Sequence, residues 1–491
     1  MLKPLNFIII VSDTFRLDLI TGFRVRGRVV RVPFISHLAS GGVFFTRAYT
    51  ASFPTVPNRH DLLTGKFTFT YHDWAPLPPG EVTLPVMLRG AGYVSVLIAD
   101  TPHILKDGFN YDRGFDAWVW VRGQENDRFR IVKDVKLPCS PSKLRDVETT
   151  LRHIVNNAGR IHEEDWIPAK TIIEASHWLE ENYNLGKPFL LHVDLFDPHE
   201  PWDPPRWLID RLDPGYSGEE VIYPAYGPSD YLTIDEVEHV RALYAAEALL
   251  VDKWVSRLLE KVDELGLLDN TVIVFTSDHG FYLGEHGLIG KSVIMGEHHG
   301  YAPLYEEVAH IPLIVRFPDS MGIRSIEFNG LVQPPDITAT ILNLAGVDYV
   351  KYGVQGKPLL PYITGEVKEP IRGIAVTSPP IIHGTAGGLR PTVTADEWSL
   401  IMAFEDSQGL EGVTYTMIVD GKPRVLKPFG RIETELYNLV KDPKQGVNIA
   451  SGNWQIIEEL HGKFIKLLRE LGTREEHLKP LLKLKKPSTK N

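Results

Sequence analysis

The feature that most constrains this 491-residue chain is a set of short apolar runs, several of which end in an acid, an imidazole or both. Residues 7–11, 93–98, 188–196, 271–276 and 311–316 are dominated by aliphatic and aromatic side chains. Apolar runs of this length without alternation mark strands covered on both faces, as in a parallel sheet. Helical stretches lie between them, at 33–41, 84–92, 169–184, 234–265 (closed by Gly266) and 336–345. Strands alternating with helices predict an α/β fold, a mostly parallel sheet flanked by helices. Near Pro370 the pieces shorten, with strand-like segments at 373–377, 399–404 and 414–419 and an amphipathic helix over 454–471. Two domains are therefore expected, 1–370 and a smaller α+β domain over 371–480, followed by a frayed Lys-rich tail, 481–491. Residues 115–168 have poor periodicity and read as an irregular excursion over the active face, in which composition does not single out Arg122, Glu125 or Arg128 as facing a ligand.

Open α/β sheets hold ligands just beyond the carboxyl ends of their strands. That places Asp13 after the first run, His103 and Lys106 after the second, Asp197 and His199 after the third, and Asp278 with His279 after the fourth. An adjacent carboxylate and imidazole offer mixed O and N ligation, which Zn²⁺, Mn²⁺ or Fe accept more readily than Ca²⁺. His199 sits between Pro198 and Pro201, which suits an imidazole held in one place for acid catalysis. Two further prolines, Pro54 and Pro57, bracket Thr55-Val56, so that Thr55 and Asn58 reach the mouth of a helix. Unpaired N–H groups at such an end attract phosphate or sulfate, and Arg59 adds a planar fork of donors. Lys291, in a run containing three glycines over 284–291, has the small neighbours an oxyanion-binding lysine needs.

Net charge narrows the partners: at −11 without long acidic runs, a nucleic-acid polymer is disfavoured. The single cysteine, Cys139, rules out an intrachain disulfide and suits a reducing compartment. The apolar run at the N-terminus is too short for a secretion signal or a membrane span, so a soluble, cytoplasmic protein is expected.

In their order, Asp13-Thr-Phe-Arg-Leu-Asp18, Pro57-Asn-Arg-His-Asp-Leu-Leu-Thr-Gly65, Asp197-Pro-His199, Thr276-Ser-Asp-His-Gly280, Gly284-Glu-His-Gly287 with Lys291, and Leu304-Tyr-Glu-Glu307 resemble the sulfatase branch of the alkaline phosphatase superfamily. Glu435-Leu-Tyr-Asn-Leu-Val-Lys-Asp-Pro443 and Asn448 resemble its C-terminal signature. The resemblance spans nearly the whole chain and implies an alkaline-phosphatase-like sheet. Three positions depart from it. Sulfatases carry Cys or Ser, converted to formylglycine, where this chain has Thr55. Thr55-Val-Pro-Asn58 is instead similar to the Thr-x-Pro-Asn turn of nucleotide pyrophosphatase/phosphodiesterases, whose unmodified Thr attacks phosphorus. Thr14 stands where many sulfatases have a metal-binding Asp, and His279 where many have Asn, which tilts the implied metal from Ca²⁺ towards Mn, Zn or Fe, as in the related phosphonate monoester hydrolases.

The resemblance implies a metal-dependent hydrolase in which Asp13, Thr55, Asp278 and His279 hold one divalent ion and Thr55 is the nucleophile. Arg59, Lys291 and Asn58 would hold the non-bridging oxygens, and His199 or His103 would protonate the leaving oxygen. A second ion would need ligands from Asp194, Asp197, His199, His286, His298 and His299, whose spacing matches no defensible pattern, and one ion is preferred. The expected partners are small phosphate diesters or phosphonate monoesters, with sulfate esters as the alternative substrate and a non-catalytic anion-binding relative as a further one. No membrane is expected, and a homo-oligomer is compatible with the chain.

Overall fold

A computed structural model describes residues 4–131, 133, 135–295, 298–407, 416–419, 422–425 and 432–486. Its centre is an eight-stranded sheet formed by β1 (Asn6–Ser12), β2 (Val43–Phe45), β3 (Val94–Ala99), β4 (Ala117–Trp120), β5 (Phe189–Leu195), β6 (Thr271–Thr276), β7 (Leu313–Arg316) and β8 (Ile326–Phe328), in the order β8-β2-β7-β6-β1-β5-β3-β4. Only β7 runs against its neighbours. β1 lies between β5 and β6, with Val11 opposite both Asp194 and Thr276, so these three strands end side by side.

Alternation along buried strands explains why the runs are apolar throughout. Ile8 and Ile10 of β1 point into one core with Leu191, Val193, Ile273 and Phe275, while Phe7, Ile9 and Val11 point into another with Leu190, Val272 and Val274. The first core is covered by α1 (Pro33–Gly41), α3 (Ile167–Asn182) and α4 (Ile234–Glu264), and the second by α2 (Thr55–Thr64) and α5 (Pro334–Leu344). α4 starts on a capping box, in which Glu236 N–H donates to Thr233 Oγ1 at 3.2 Å and Thr233 N–H donates back to Glu236 Oε2 at 2.8 Å.

α2 is unusual in being buried at all ten positions although its sequence is half polar. Burial of polar groups is tolerated only when their hydrogen bonds are made. Asp61 accepts from Ser52 N–H (2.8 Å), Ser52 Oγ–H (2.7 Å), Thr68 N–H (2.8 Å) and Thr68 Oγ–H (2.7 Å), clasping the chain on either side of the helix. The helix stops at Gly65, which adopts φ 69°; a Cβ there would also lie 2.7 Å from Val354.

A smaller antiparallel sheet, β9 (Ala375–Thr377), β10 (Thr392–Ala395), β11 (Trp398–Ile401) and β12 (Glu435–Asn438), packs with α6 (Trp454–Glu470) around a third core. The chain just after β9 supports the loop ahead of α2, since Ser378 N–H donates to Ala51 O and Phe53 N–H to Ser378 O, both at 2.9 Å. The strand-like segment expected at 414–419 is observed as Thr416–Val419, and residues 414 and 415 lie outside the described residues.

Two expectations are corrected. The segment 115–168 is not wholly irregular: β4 adds an edge strand, and Val147–Asn156 is a helix whose Asp146 cap accepts Thr149 N–H at 2.6 Å. An edge strand is half exposed and lacks the continuous apolar signature, which is why Ala117-Trp-Val-Trp120 escaped notice. The tail does not fray from residue 481: Leu481 and Leu484 are buried in the third core, and Lys485 N–H donates to Ala403 O at 2.8 Å.

α1 has no side-chain cap of its own, because its N-cap is Val32 and Pro33 follows. Asp252 of α4 supplies one across the helix interface, accepting Ile35 N–H at 2.7 Å and Phe34 N–H at 3.3 Å. Asp252→Ala is expected to cost about 1 kcal/mol of stability, read as a lower urea midpoint with an unchanged slope; an unmoved midpoint would show the cap to be idle.

Candidate active site

The carboxyl ends of β6, β1 and β5 converge on the N-terminus of α2. Thr55 is the first residue of that helix and is fully buried. Beyond β1, Asp13 N–H donates to Leu195 O at 2.9 Å, and Thr14, at φ 57°, turns its N–H onto Asp278 Oδ1 at 3.0 Å. These bonds tie three strand ends together and fix the carboxylates relative to one another.

Asp13, Asp278 and His279 place one potential ligand atom each within 4.8 Å of the others, and all three are buried. Among the described residues this is the one such group. Both carboxylate oxygens of Asp13 lack a hydrogen-bond donor; Arg59 Nη1 lies 3.0 Å from Oδ2 without directing an N–H along the line. Burial, with the nearby Asp278 charge added, pushes the Asp13 carboxyl well above the usual range. Burial also opposes the Asp278 charge, but Arg59 and other neighbours outweigh it and hold that carboxyl below the usual range. His279 Nδ1 faces Gly280 O at 2.9 Å, so this nitrogen carries the hydrogen and Nε2 keeps its lone pair. Burial lowers His279 to about 3, leaving the imidazole neutral. Its Nε2 lies 3.3 Å from Thr55 Oγ1. Two buried carboxylates, one of them short of donors, with a neutral imidazole and an alcohol beside them, fit a divalent cation.

Lys291 joins from the other side. Its Nζ donates to His199 Nε2 at 2.8 Å and lies 3.3 Å from His279 Nε2 and 3.4 Å from Thr55 Oγ1. His199 Nδ1 is occupied by Glu200 O at 2.7 Å, and its ring stacks on Phe196 with centroids 4.2 Å apart. Burial, aided by Lys291, pushes His199 well below its ordinary value, so it is neutral and accepts from the lysine. His103 stands farther out, with Nε2 2.9 Å from Glu125 Oε2.

Arg59 and Asn58 were expected to meet the non-bridging oxygens, but their donors are directed into the scaffold. Arg59 Nε and Nη2 donate to Asp194 at 3.1 and 2.9 Å, and Nη1 donates to Asp278. Asn58 Nδ2 donates to Thr50 Oγ1 at 2.9 Å and to Asp278 O at 3.0 Å. The candidates for a second ion also have other occupations. Asp194 holds Arg59 and accepts from Thr101 Oγ–H, Asp197 accepts from Gln124, and His286 pairs with Glu307 at 3.2 Å. The side chain of His298 lies outside the described residues. Sequence reasoning missed Glu200 and Thr101, and left Glu125 unassigned; their roles arise only when separate strand ends meet, and no local pattern marks them.

A cavity of about 500 Å³ opens at Pro54 and Lys291, the two lining residues that flank Thr55, and His199, His103, Phe53, Trp74 and Tyr226 line it further. Ala386 and Gly387 close it from the smaller domain.

Residues 5–347 match the family model described as sulfatase. The N-acetylglucosamine-6-O-sulfatase of Bacteroides thetaiotaomicron is 25% identical over 75% of this chain and 72% of its own length. Among solved structures, the phosphonate monoester hydrolase of Agrobacterium radiobacter superposes with a TM-score of 0.66 at 20% identity, covering 96% of each chain. A protein solved in complex with its substrate D-glucosamine-2-N,6-O-disulfate gives 0.67 at 20% identity, covering 98% of this chain and 100% of that one. With the family match covering well over half of its length and the fold agreeing throughout, the chain belongs to the sulfatase family of the alkaline phosphatase superfamily and is a hydrolase of that family.

Proposed function

We propose that the protein hydrolyses phosphate diesters or phosphonate monoesters by attack of the unmodified Thr55 alcohol. The observation that carries this reading is the placement of Thr55 Oγ1 at a helix N-terminus, 3.3 Å from His279 Nε2 and 3.4 Å from Lys291 Nζ. Asp13, Asp278, His279 and Thr55 would hold the divalent ion, and the imidazole favours Mn, Zn or Fe over Ca. When bound, such an ion acts as a Lewis acid and makes a neighbouring hydroxyl easier to ionise.

The remaining work falls to the chain itself. Asp61 and the bonds to Ser378 hold the loop and helix that aim Thr55. Arg59 serves by holding Asp13, Asp194 and Asp278 together, since an unscreened trio of carboxylates would repel one another. Lys291, anchored by neutral His199, presents its N–H groups beside Thr55 on the cavity wall, where charge builds on the substrate oxygens as the ester opens. The proton for the leaving oxygen comes from this Lys291–His199 pair, with His103 as the alternative donor.

The unmodified threonine, in a turn similar to the Thr-x-Pro-Asn turn of nucleotide pyrophosphatase/phosphodiesterases, is what tilts the reading from sulfur to phosphorus. A formylglycine hydrate has two hydroxyls and can shed its ester by collapsing to an aldehyde, whereas threonine has one. The phosphoryl- or sulfuryl-threonine must therefore be opened by water at the central atom. Sulfate ester hydrolysis is the second reading, favoured by the name of the Bacteroides relative. Both substrate types present a singly charged tetrahedral group, so the site geometry alone admits either.

A panel of 4-nitrophenyl phosphodiesters, phosphonates and sulfates, assayed with added Mn²⁺, Zn²⁺ or Ca²⁺ after chelation, is expected to give the highest kcat/KM on a phosphorus ester with Mn²⁺ or Zn²⁺. Sulfate as the best substrate, or Ca²⁺ as the best metal, would overturn that assignment. Thr55→Ala should abolish turnover of the whole panel, and Lys291→Met should lower kcat by roughly 10²–10⁴; a fully active Thr55→Ala enzyme would sink the nucleophile. Arg59→Leu leaves three buried carboxylates without their guanidinium, an expected loss of about 3–5 kcal/mol, and Mn²⁺ should restore part of the lost thermal stability. No loss of stability would mean that Arg59 does not brace the cluster.

A further inference from the structure

Among the described residues, the charged side chains that line the cavity beside Thr55 are of the sign opposite to the molecule's net charge. The protein carries a net charge of −11, yet none of the described residues lining this cavity is Asp or Glu, whereas Lys291 and Arg145 both line it. Such a cleft favours ligands of the opposite sign. Lys291 belongs to the reacting end. Arg145 has no part in the chemistry, and the reaction leaves its position unexplained.

The arginine is locked in place. Its Nη1 donates to Glu200 Oε1 at 3.2 Å and to Tyr226 Oη at 3.1 Å, and its guanidinium carbon stands 4.4 Å from the centroid of the Tyr226 ring. Glu200 and Glu125 stand behind it, buried and outside the cavity wall. All of these bonds use one nitrogen, while the side chain remains 25% exposed where it borders the cavity. A guanidinium held rigidly at one corner, with an edge open to a ligand cavity, is suited to a planar or tetrahedral oxyanion. Trp74 and Tyr226 supply flat apolar surface in the same space, and its volume of about 500 Å³ suits a small organic group.

We propose that the substrate's leaving group carries a second oxyanion, such as a carboxylate, which Arg145 binds while the ester meets Thr55 and Lys291. This rests on the reading of Thr55 as the group that opens the ester. It narrows the substrate from simple esters to those with an acidic, partly apolar alcohol.

The test compares esters of 4-nitrophenol with those of 3-carboxy-4-nitrophenol, prepared as phosphonates, phosphodiesters and sulfates, on the parent enzyme and on Arg145→Gln. The expected result, within whichever ester class is cleaved best, is a preference for the carboxylated phenol on the order of 10-fold in kcat/KM. That ratio should fall to near 1 in Arg145→Gln. Calorimetric binding of the same esters to Thr55→Ala should show a matching preference in Kd, and this reading decides the matter even where no ester is turned over. Equal kcat/KM and equal Kd for the two phenols in the parent would overturn the inference. So would a loss in Arg145→Gln shared equally by both phenols, because that would mark Arg145 as a support for Glu200 alone. The two readings fail separately: sulfate as the best class contradicts the phosphorus assignment, whereas an absent carboxylate preference contradicts only the role of Arg145.

Discussion

Three buried carboxylates gathered around one guanidinium are the interaction on which the rest of this structure depends. Asp13, Asp194 and Asp278 come from the ends of three adjacent strands, and Arg59 comes from the helix that carries Thr55. In a dry interior such a group is stable only if its charges are nearly balanced and its geometry is fixed. The sheet fixes the geometry, since β1 is paired to both neighbours in register and Thr14 ties its end to Asp278. Arg59 supplies only part of the charge. The donor-poor carboxylate of Asp13 and the neutral nitrogen of His279 then offer the ligands with which a cation would complete the balance.

This constraint also explains the polar character of α2. A helix buried on all sides would ordinarily be apolar, but this one must bring an alcohol, an amide and a guanidinium into the sheet's carboxyl edge. Asn58, Arg59 and Asp61 each bind backbone or side chains from elsewhere in the fold, so the polar face of the helix becomes the mortar between the sheet, the loop at Ser52 and the turn at Thr68. The Thr55 alcohol, the proposed nucleophile, is thus set among neighbours that are themselves held by hydrogen bonds.

Much of this was legible from sequence, for a simple reason: parallel strands buried on both faces write themselves as continuous apolar runs, and their ends are where ligands gather. That rule put Asp13, His199, Asp278 and His279 along one edge of the sheet, and the resemblance to sulfatases joined Thr55 and Lys291 to them. The direction in which Arg59 points was not legible. Its partner Asp194 lies inside an apolar run, where a lone acid reads as a minor interruption, and nothing local announces that it faces an arginine 135 positions away. Glu200, Glu125 and Arg145 escaped for the same reason, since each acts through a neighbour on a different element. The edge strand at Ala117 and the ordered start of the C-terminal segment were hidden differently, by half-exposure in one case and by a Lys-rich composition in the other.

The claim at the centre is that an ordinary alcohol, placed by α2, takes the ester onto itself. Rapid quench of the metal-loaded enzyme with a slowly hydrolysed phosphonate, followed by peptide mass spectrometry, tests it most directly. The account predicts a phosphonyl group on the peptide containing Thr55, localised to that side chain by fragmentation. An unmodified Thr55 during steady turnover, or the same adduct on a different residue, would contradict it.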